Sequence, residues 1–157
     1  MGTSSTIIRG TPFEWGTRTY IMGIVNVSPD SFSGDGIADA ARAVEYGLKL
    51  VSEGADILDI GGESTRPGSE PLDTSTESNR VIPVLSGLRG RTDVPLSVDT
   101  YKYEVAEEAV RSGVDIINDI WGLKKDVRLA DLAARHGCAM VLMSNQRDVS
   151  PGHDLVF

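Results

Sequence analysis

Three stretches of this sequence share one design: SEGADILDI (52–60), RSGVDIINDI (111–120) and RHGCAMVLM (135–143). In each, a polar-faced segment stops at a glycine. A small or β-branched residue follows, and then a short apolar run begins. Glycine accepts the left-handed conformation that ends a helix at little cost. Apolar runs of this length suit strands buried in a parallel sheet. A chain that repeats helix, glycine and buried strand is confined to α/β architectures with right-handed crossovers.

The intervening segments carry helical periodicity. In 38–53, Ala41, Val44, Leu48 and Val51 form one apolar stripe, and in 75–89 Val81, Leu85 and Leu88 do the same. TSTE (74–77) reads as a capping box at the start of the second helix, and Pro83 is expected to kink or split it. In 102–112, Val105 pairs with Ala109 and Ala106 with Val110, with Thr100 as the expected cap; Leu129, Leu132 and Ala133 predict a short helix over 127–136. Strands are expected at roughly 20–25, 55–60, 95–98, 114–118 and 139–143. Upstream, TIIRG and TYIMG flank a Pro/Gly/Trp turn and predict a small β-hairpin.

Five βα units fit either a doubly wound sheet or part of a (β/α)8 TIM barrel. The sequence contains no G-x-G-x-x-G and no G-x-x-x-x-G-K-[ST] turn, which the doubly wound nucleotide-binding sheets use. A polar residue follows nearly every expected strand instead, as at the mouth of a barrel. The expected fold class is therefore a partial barrel with five of its eight βα strands, over a single domain spanning 1–157. A whole barrel takes about 200 residues or more, so the chain is read as truncated at its C-terminal side.

Charge and cysteine content narrow the partners. The net charge is −8, with acids spread along the chain, which argues against nucleic acid or an anionic membrane as partner. The single Cys138 rules out an internal disulfide framework and suits a reducing, cytoplasmic setting, where it serves as a small apolar residue. His136 and His153 are expected to be structural or solvent-exposed.

The strand ends hold the candidate chemistry. The first gives Asn26, followed by Ser28, Asp30, Ser31 and Phe32; the second gives Glu63, Ser64, Thr65 and Arg66. The later ends give Asp99 and Thr100, then Asn118 and Asp119, then Ser144, Asn145 and Gln146. Asp99 and Asn118 can offer acceptors and a donor to one planar heterocycle. Arg66 with Ser64 and Thr65 suits a phosphate or another anion, and Asn26 supplies a neutral oxygen ligand for Mg²⁺. A heterocycle, an anion and Mg²⁺ together point to departure of a diphosphate.

These same residues lie in four stretches, IMGIVNVSPDSFSGDG, DILDIGGESTRPGS, PLSVDTYK and IINDIWG, that resemble the dihydropteroate synthase family in order and spacing. The resemblance implies a TIM barrel that joins 4-aminobenzoate to a dihydropterin methyl diphosphate and releases pyrophosphate. It implies Mg²⁺ and diphosphate binding by Asn26, and a pterin pocket containing Asp99 and Asn118. It also implies substrate binding by Thr65 and by Arg66 of a second loop. Asp30, Ser31 and Phe32 fall in a first loop that closes over the site, with Phe32 and Pro67 against the aminobenzoate. The family mechanism needs no side-chain nucleophile, and the full-length enzyme is expected to be a cytoplasmic homodimer.

Three departures accompany the resemblance. The first loop reads SFSGDG where SFSDGG is commoner, which displaces Asp35 by one place. Ser144 stands where many members have His. The family's second pocket Asp, its Lys and its Arg/His pair fall beyond residue 157, so this chain by itself is expected to be inactive and, with an open sheet edge, to self-associate. Two other functions share the pattern in part: a pterin-binding methyltransferase domain, which should lack the SPDSFS and ESTRPG loops, and an inactive paralogue that partners a complete synthase.

Overall fold

The computed structural model describes residues 4–27, 36–63 and 71–144. A short antiparallel hairpin, β1 (Ser5–Ile8) and β2 (Thr11–Glu14), comes first. Strand and helix then alternate: β3 (Met22–Asn26), α1 (Gly36–Ser52), β4 (Ile57–Gly61), α2 (Thr74–Arg89), β5 (Leu96–Asp99), α3 (Tyr103–Arg111), β6 (Ile116–Asp119), α4 (Arg128–His136) and β7 (Ala139–Leu142). The sheet is parallel throughout, in the order β3-β4-β5-β6-β7. Each strand lies beside its predecessor, as in a barrel arc.

Strand register sorts the side chains into two faces, because successive residues point to opposite sides. Val25, Leu58, Ile60, Leu96, Val98 and Ile117 face the helices and form the main core with Val44, Val81, Leu85, Leu88, Val105 and Leu132. The other face is the inner wall of the arc, and pairing lays it out in rows. Met22 and Ile57 form the lowest row; Ile24, Asp59, Ser97, Ile116 and Ala139 form the middle; Asn26, Gly61, Asp99, Asn118 and Val141 form the top. The hairpin closes the floor. Its buried Ile8 and Phe13 pack with Ile57 and Ile116, and Tyr20, Met22 and Ala139 complete this second cluster.

Several local expectations need correction. The hairpin turns at Arg9-Gly10, which pairs Ser5–Ile8 with Thr11–Glu14, while TYIMG leads into β3. Arg9 and Gly10 have φ of 51° and 74°, the positive values that a two-residue turn matching strand twist requires. The N-cap of α2 is Asp73, one residue before the expected box; its carboxylate accepts the Thr76 backbone N–H at 2.9 Å. That helix runs through Pro83 without interruption, and Pro83 is exposed. Thr100 does not cap α3 directly. Its hydroxyl accepts from Lys102 N at 3.2 Å, and Lys102 holds the cap position. Cys138 lies between Gly137, the left-handed end of α4 (φ 67°), and Ala139, the first residue of β7.

Candidate active site

The top row of the inner wall sits at the carboxyl ends of the strands, where barrels bind ligands. Gly61 is its pivot. A Cβ built there would meet Asp99 Oδ2 at 3.5 Å and Asn26 Oδ1 at 3.8 Å, so the missing side chain leaves room between two polar groups. Asn118 lies next in register, paired with Asp99. The structure thus brings Asn26, Asp99 and Asn118 together from three strands whose positions span more than half the sequence.

What separates these groups from ordinary polar residues is that they are uncommitted. Among the described residues, neither the Asp99 carboxyl nor the Asn26 side chain has a hydrogen-bond partner. Asn118 donates its Nδ2 to Asp59 Oδ2 at 2.9 Å, and its Oδ1 receives no donor from those residues. Asp99 and Asn118 are half-buried, where native proteins rarely leave polar groups unpaired without a use for them, while Asn26 is exposed at the rim. Burial, followed by the charges of Asp59, Glu77, Asp119 and Glu63, pushes Asp99 up to about 7. At neutral pH it can therefore offer either an acceptor or an O–H donor.

Asp59 was not among the expected site residues. It sits in the middle row, 4% exposed, and burial raises its pKa, with Ser97 and Asn118 offsetting part of the rise. Its Oδ1 and the neighbouring Ser97 Oγ are both buried and lack a partner of hydrogen-bonding geometry among the described residues. The available signal was a lone acid inside an apolar strand, two residues before Gly61 and so on the same face.

A second cluster secures the neighbouring loop bases. Lys102 Nζ contacts Glu63 Oε2 at 2.6 Å and also Glu77, whose side chain is 1% exposed. Glu63 further accepts from Tyr101 OH at 3.0 Å and from Leu72 N at 2.9 Å. Arg80 donates to Gly62 O at 3.0 Å. For Lys102, burial works against the charge, but the hydrogen bonds to Glu63 and Glu77 outweigh it and leave the pKa raised.

The remaining candidates divide. Asp119 is structural: its buried carboxylate accepts from Trp121 N at 2.8 Å and Leu123 N at 2.6 Å, which shapes the turn after β6. Ser144 lies just past β7 and is exposed, as is His136 at the end of α4. Ser28, Asp30, Ser31, Phe32, Asp35, Ser64, Thr65, Arg66, Pro67, Asn145, Gln146 and His153 lie outside the described residues. No group of three or more His, Cys, Asp or Glu among the described residues could hold a metal.

The sequence pattern of the pterin binding enzymes matches residues 22–153, which include every strand end of the site. The chain belongs to the pterin-binding enzyme family. Within that family it is 47% identical over 135 residues to a dihydropteroate synthase of Clostridium beijerinckii, covering 85% of this chain and 50% of that protein. A dihydropteroate synthase of Bacillus subtilis is 50% identical over 130 residues, covering 82% and 46%. The chain spans about half the length of the curated relatives it matches. The Clostridium difficile dihydropteroate synthase, solved in the presence of pteroic acid, superimposes with a TM-score of 0.84 at 46% identity, over 90% of this chain and 54% of that one. The Xanthomonas albilineans enzyme with 4-aminobenzoic acid gives 0.84 at 43%, over 98% and 55%. The five-stranded sheet is thus an arc of the family's barrel.

Proposed function

We propose that the full-length protein is a dihydropteroate synthase, a transferase that condenses 4-aminobenzoate with (7,8-dihydropterin-6-yl)methyl diphosphate in folate biosynthesis. The observation that carries this reading is the row of Asn26, Asp99 and Asn118 on the inner wall, where the Asn26 side chain, the Asp99 carboxyl and the Asn118 carbonyl oxygen have no hydrogen-bond partner among the described residues. Asp99 and the Asn118 carbonyl oxygen can bind the hydrogen-bonding edge of a pterin, with Asp99 presenting the acceptor or donor that the edge requires. In the reaction the C–O bond to diphosphate breaks and the pterin ring system delocalises the resulting cation. The amine nitrogen of 4-aminobenzoate then attacks the methylene carbon and loses a proton. The residues supply positioning and electrostatic stabilisation rather than a nucleophile.

The same reading assigns Ser64, Thr65 and Arg66 to the diphosphate side, with Asp30 and Ser31 closing from the first loop. Phe32 and Pro67 contact the aminobenzoate. The donor set fits Mg²⁺: one amide oxygen, from Asn26, suits an ion that keeps most of its waters and takes substrate phosphate oxygens. Bound there, Mg²⁺ would stabilise the charge of the departing diphosphate. Residues 1–157 form part of one barrel domain in a cytoplasmic homodimer whose partners are small molecules, not nucleic acid or membrane. No helix among the described residues is long and apolar enough to cross a membrane.

The test is direct. The protein spanning the length of its relatives is incubated with both substrates and Mg²⁺, and 7,8-dihydropteroate is measured by chromatography. Asp99→Asn should weaken pterin binding by about 1–3 kcal/mol, the scale of leaving a buried hydrogen-bonding group mismatched. No product from the wild type, or unchanged pterin affinity in the variant by calorimetry, would refute the assignment.

A further inference from the structure

We propose that Asp59 is a positioning residue that locks the Asn118 side-chain amide, so that its oxygen rather than its nitrogen faces the pocket. The inference rests on the pterin-binding reading of the site for its functional consequence, though not for the lock itself. An asparagine amide has a donor end and an acceptor end that differ little in shape, so the residue can present either one. In this structure the ambiguity is removed from below. Asp59 stands one row deeper on β4, and its Oδ2 takes the Asn118 Nδ2 proton at 2.9 Å. With the nitrogen held downward, the oxygen is turned toward the open side of the row.

Two features indicate that Asp59 is kept for this task. It is 4% exposed, and its second oxygen is buried without a partner among the described residues, so its presence costs stability that an apolar residue would not. Its neighbours in the middle row are Ile24 and Ser97, with the apolar Ile116 beyond Ser97. Among the described residues the acid makes no contact with a cation, and its hydrogen bond is to Asn118. A donor turned into the pocket in place of an acceptor would reverse the pattern that a ligand has to match, and the lock excludes it.

Two substitutions separate an acceptor role from simple packing. Asp59→Asn keeps an oxygen for Asn118 Nδ2, and its own amide can donate to the unpaired Ser97 Oγ. Asp59→Ala removes the acceptor. In full-length protein, the dissociation constant for 6-hydroxymethylpterin by calorimetry should rise tenfold or more in Asp59→Ala and stay within threefold in Asp59→Asn. In ¹⁵N-labelled protein without ligand, the Asn118 side-chain amide protons should exchange slowly with water in the wild type and in Asp59→Asn, and quickly in Asp59→Ala. Fast exchange in the wild type would overturn the lock without any variant having to fold. Equal losses of affinity in both variants would overturn it as well. If the wild type binds no pterin, the functional reading falls, while the exchange data still decide the lock.

Discussion

Replacing Lys102 with methionine should destabilise the protein in a way that depends steeply on pH. Among the described residues Lys102 is the one cation paired with both Glu63 and Glu77, with side-chain exposures of 13%, 10% and 1%. Glu63 keeps its hydrogen bonds from Tyr101 and Leu72 when the lysine is gone, whereas Glu77 has no other side-chain partner among the described residues. Breaking a buried ion pair from one side costs about 3–5 kcal/mol. The variant has an escape, which is to take up a proton at the orphaned carboxylate. At pH 7, against an ordinary glutamate value near 4.3, neutralisation costs about 3.7 kcal/mol, and the cost falls by about 1.4 kcal/mol for each unit of pH. The penalty of Lys102→Met should therefore be about 3–4 kcal/mol at pH 7 and about 1 kcal/mol at pH 5. Urea titrations of both proteins at the two pH values read it directly. A penalty below 1 kcal/mol at pH 7, or one that does not shrink at pH 5, would refute the reasoning. At the alkaline end the sign is the familiar one for a lysine with a raised pKa: the pair's contribution is complete below the ordinary value of 10.5 and disappears as pH climbs through the folded-state value.

Asp99 gives the opposite kind of pH dependence. Its pKa near 7 lies above the ordinary 3.8, so the folded state holds a proton that the unfolded chain has released; stability should fall as pH rises from 4 to 7, and thermal melts of Asp99→Asn should lack that part of the fall. Gly61→Ala and Gly62→Ala should part company. The first places a methyl at ordinary contact distance between Asn26 and Asp99, and should fold normally while losing pterin affinity tenfold or more by calorimetry. The second places a Cβ 2.9 Å from Val81 Cγ1 and 3.3 Å from the Glu77 carbonyl oxygen, and should lower the melting temperature. Phe13→Ala should cost about 3–5 kcal/mol in denaturant titration, because the ring is the centre of the apolar floor.

The order of the elements was legible because glycine and apolar runs act locally. Gly54, Gly113 and Gly137 all take positive φ where the helices were expected to stop, at 106°, 92° and 67°. The three-strand row of Asn26, Asp99 and Asn118 was legible too, since parallel strands align their carboxyl ends wherever they occur in the chain. What stayed hidden depends on register and distance. Asp59 looked like one more residue of a strand, and nothing local indicated that it lies beneath Asn118, 59 positions away. The partner of Glu63 was equally invisible. Lys102, from the start of α3, lies 39 positions away in the chain. The hairpin was misplaced because Arg9-Gly10 lacks the usual Asn or Asp at its first position, and the Pro/Gly/Trp segment gave the stronger turn signal.

The hairpin beneath the inner wall also has a kinetic meaning. With Ile8 and Phe13 packed against Ile57 and Ile116, the amino end of the inner wall is covered, and the side where the strands finish is left for ligands. In a complete barrel of the kind proposed above, such a floor would impose a queue: a ring seated against Asp99 and Asn118 would have to arrive before anything that rests above it.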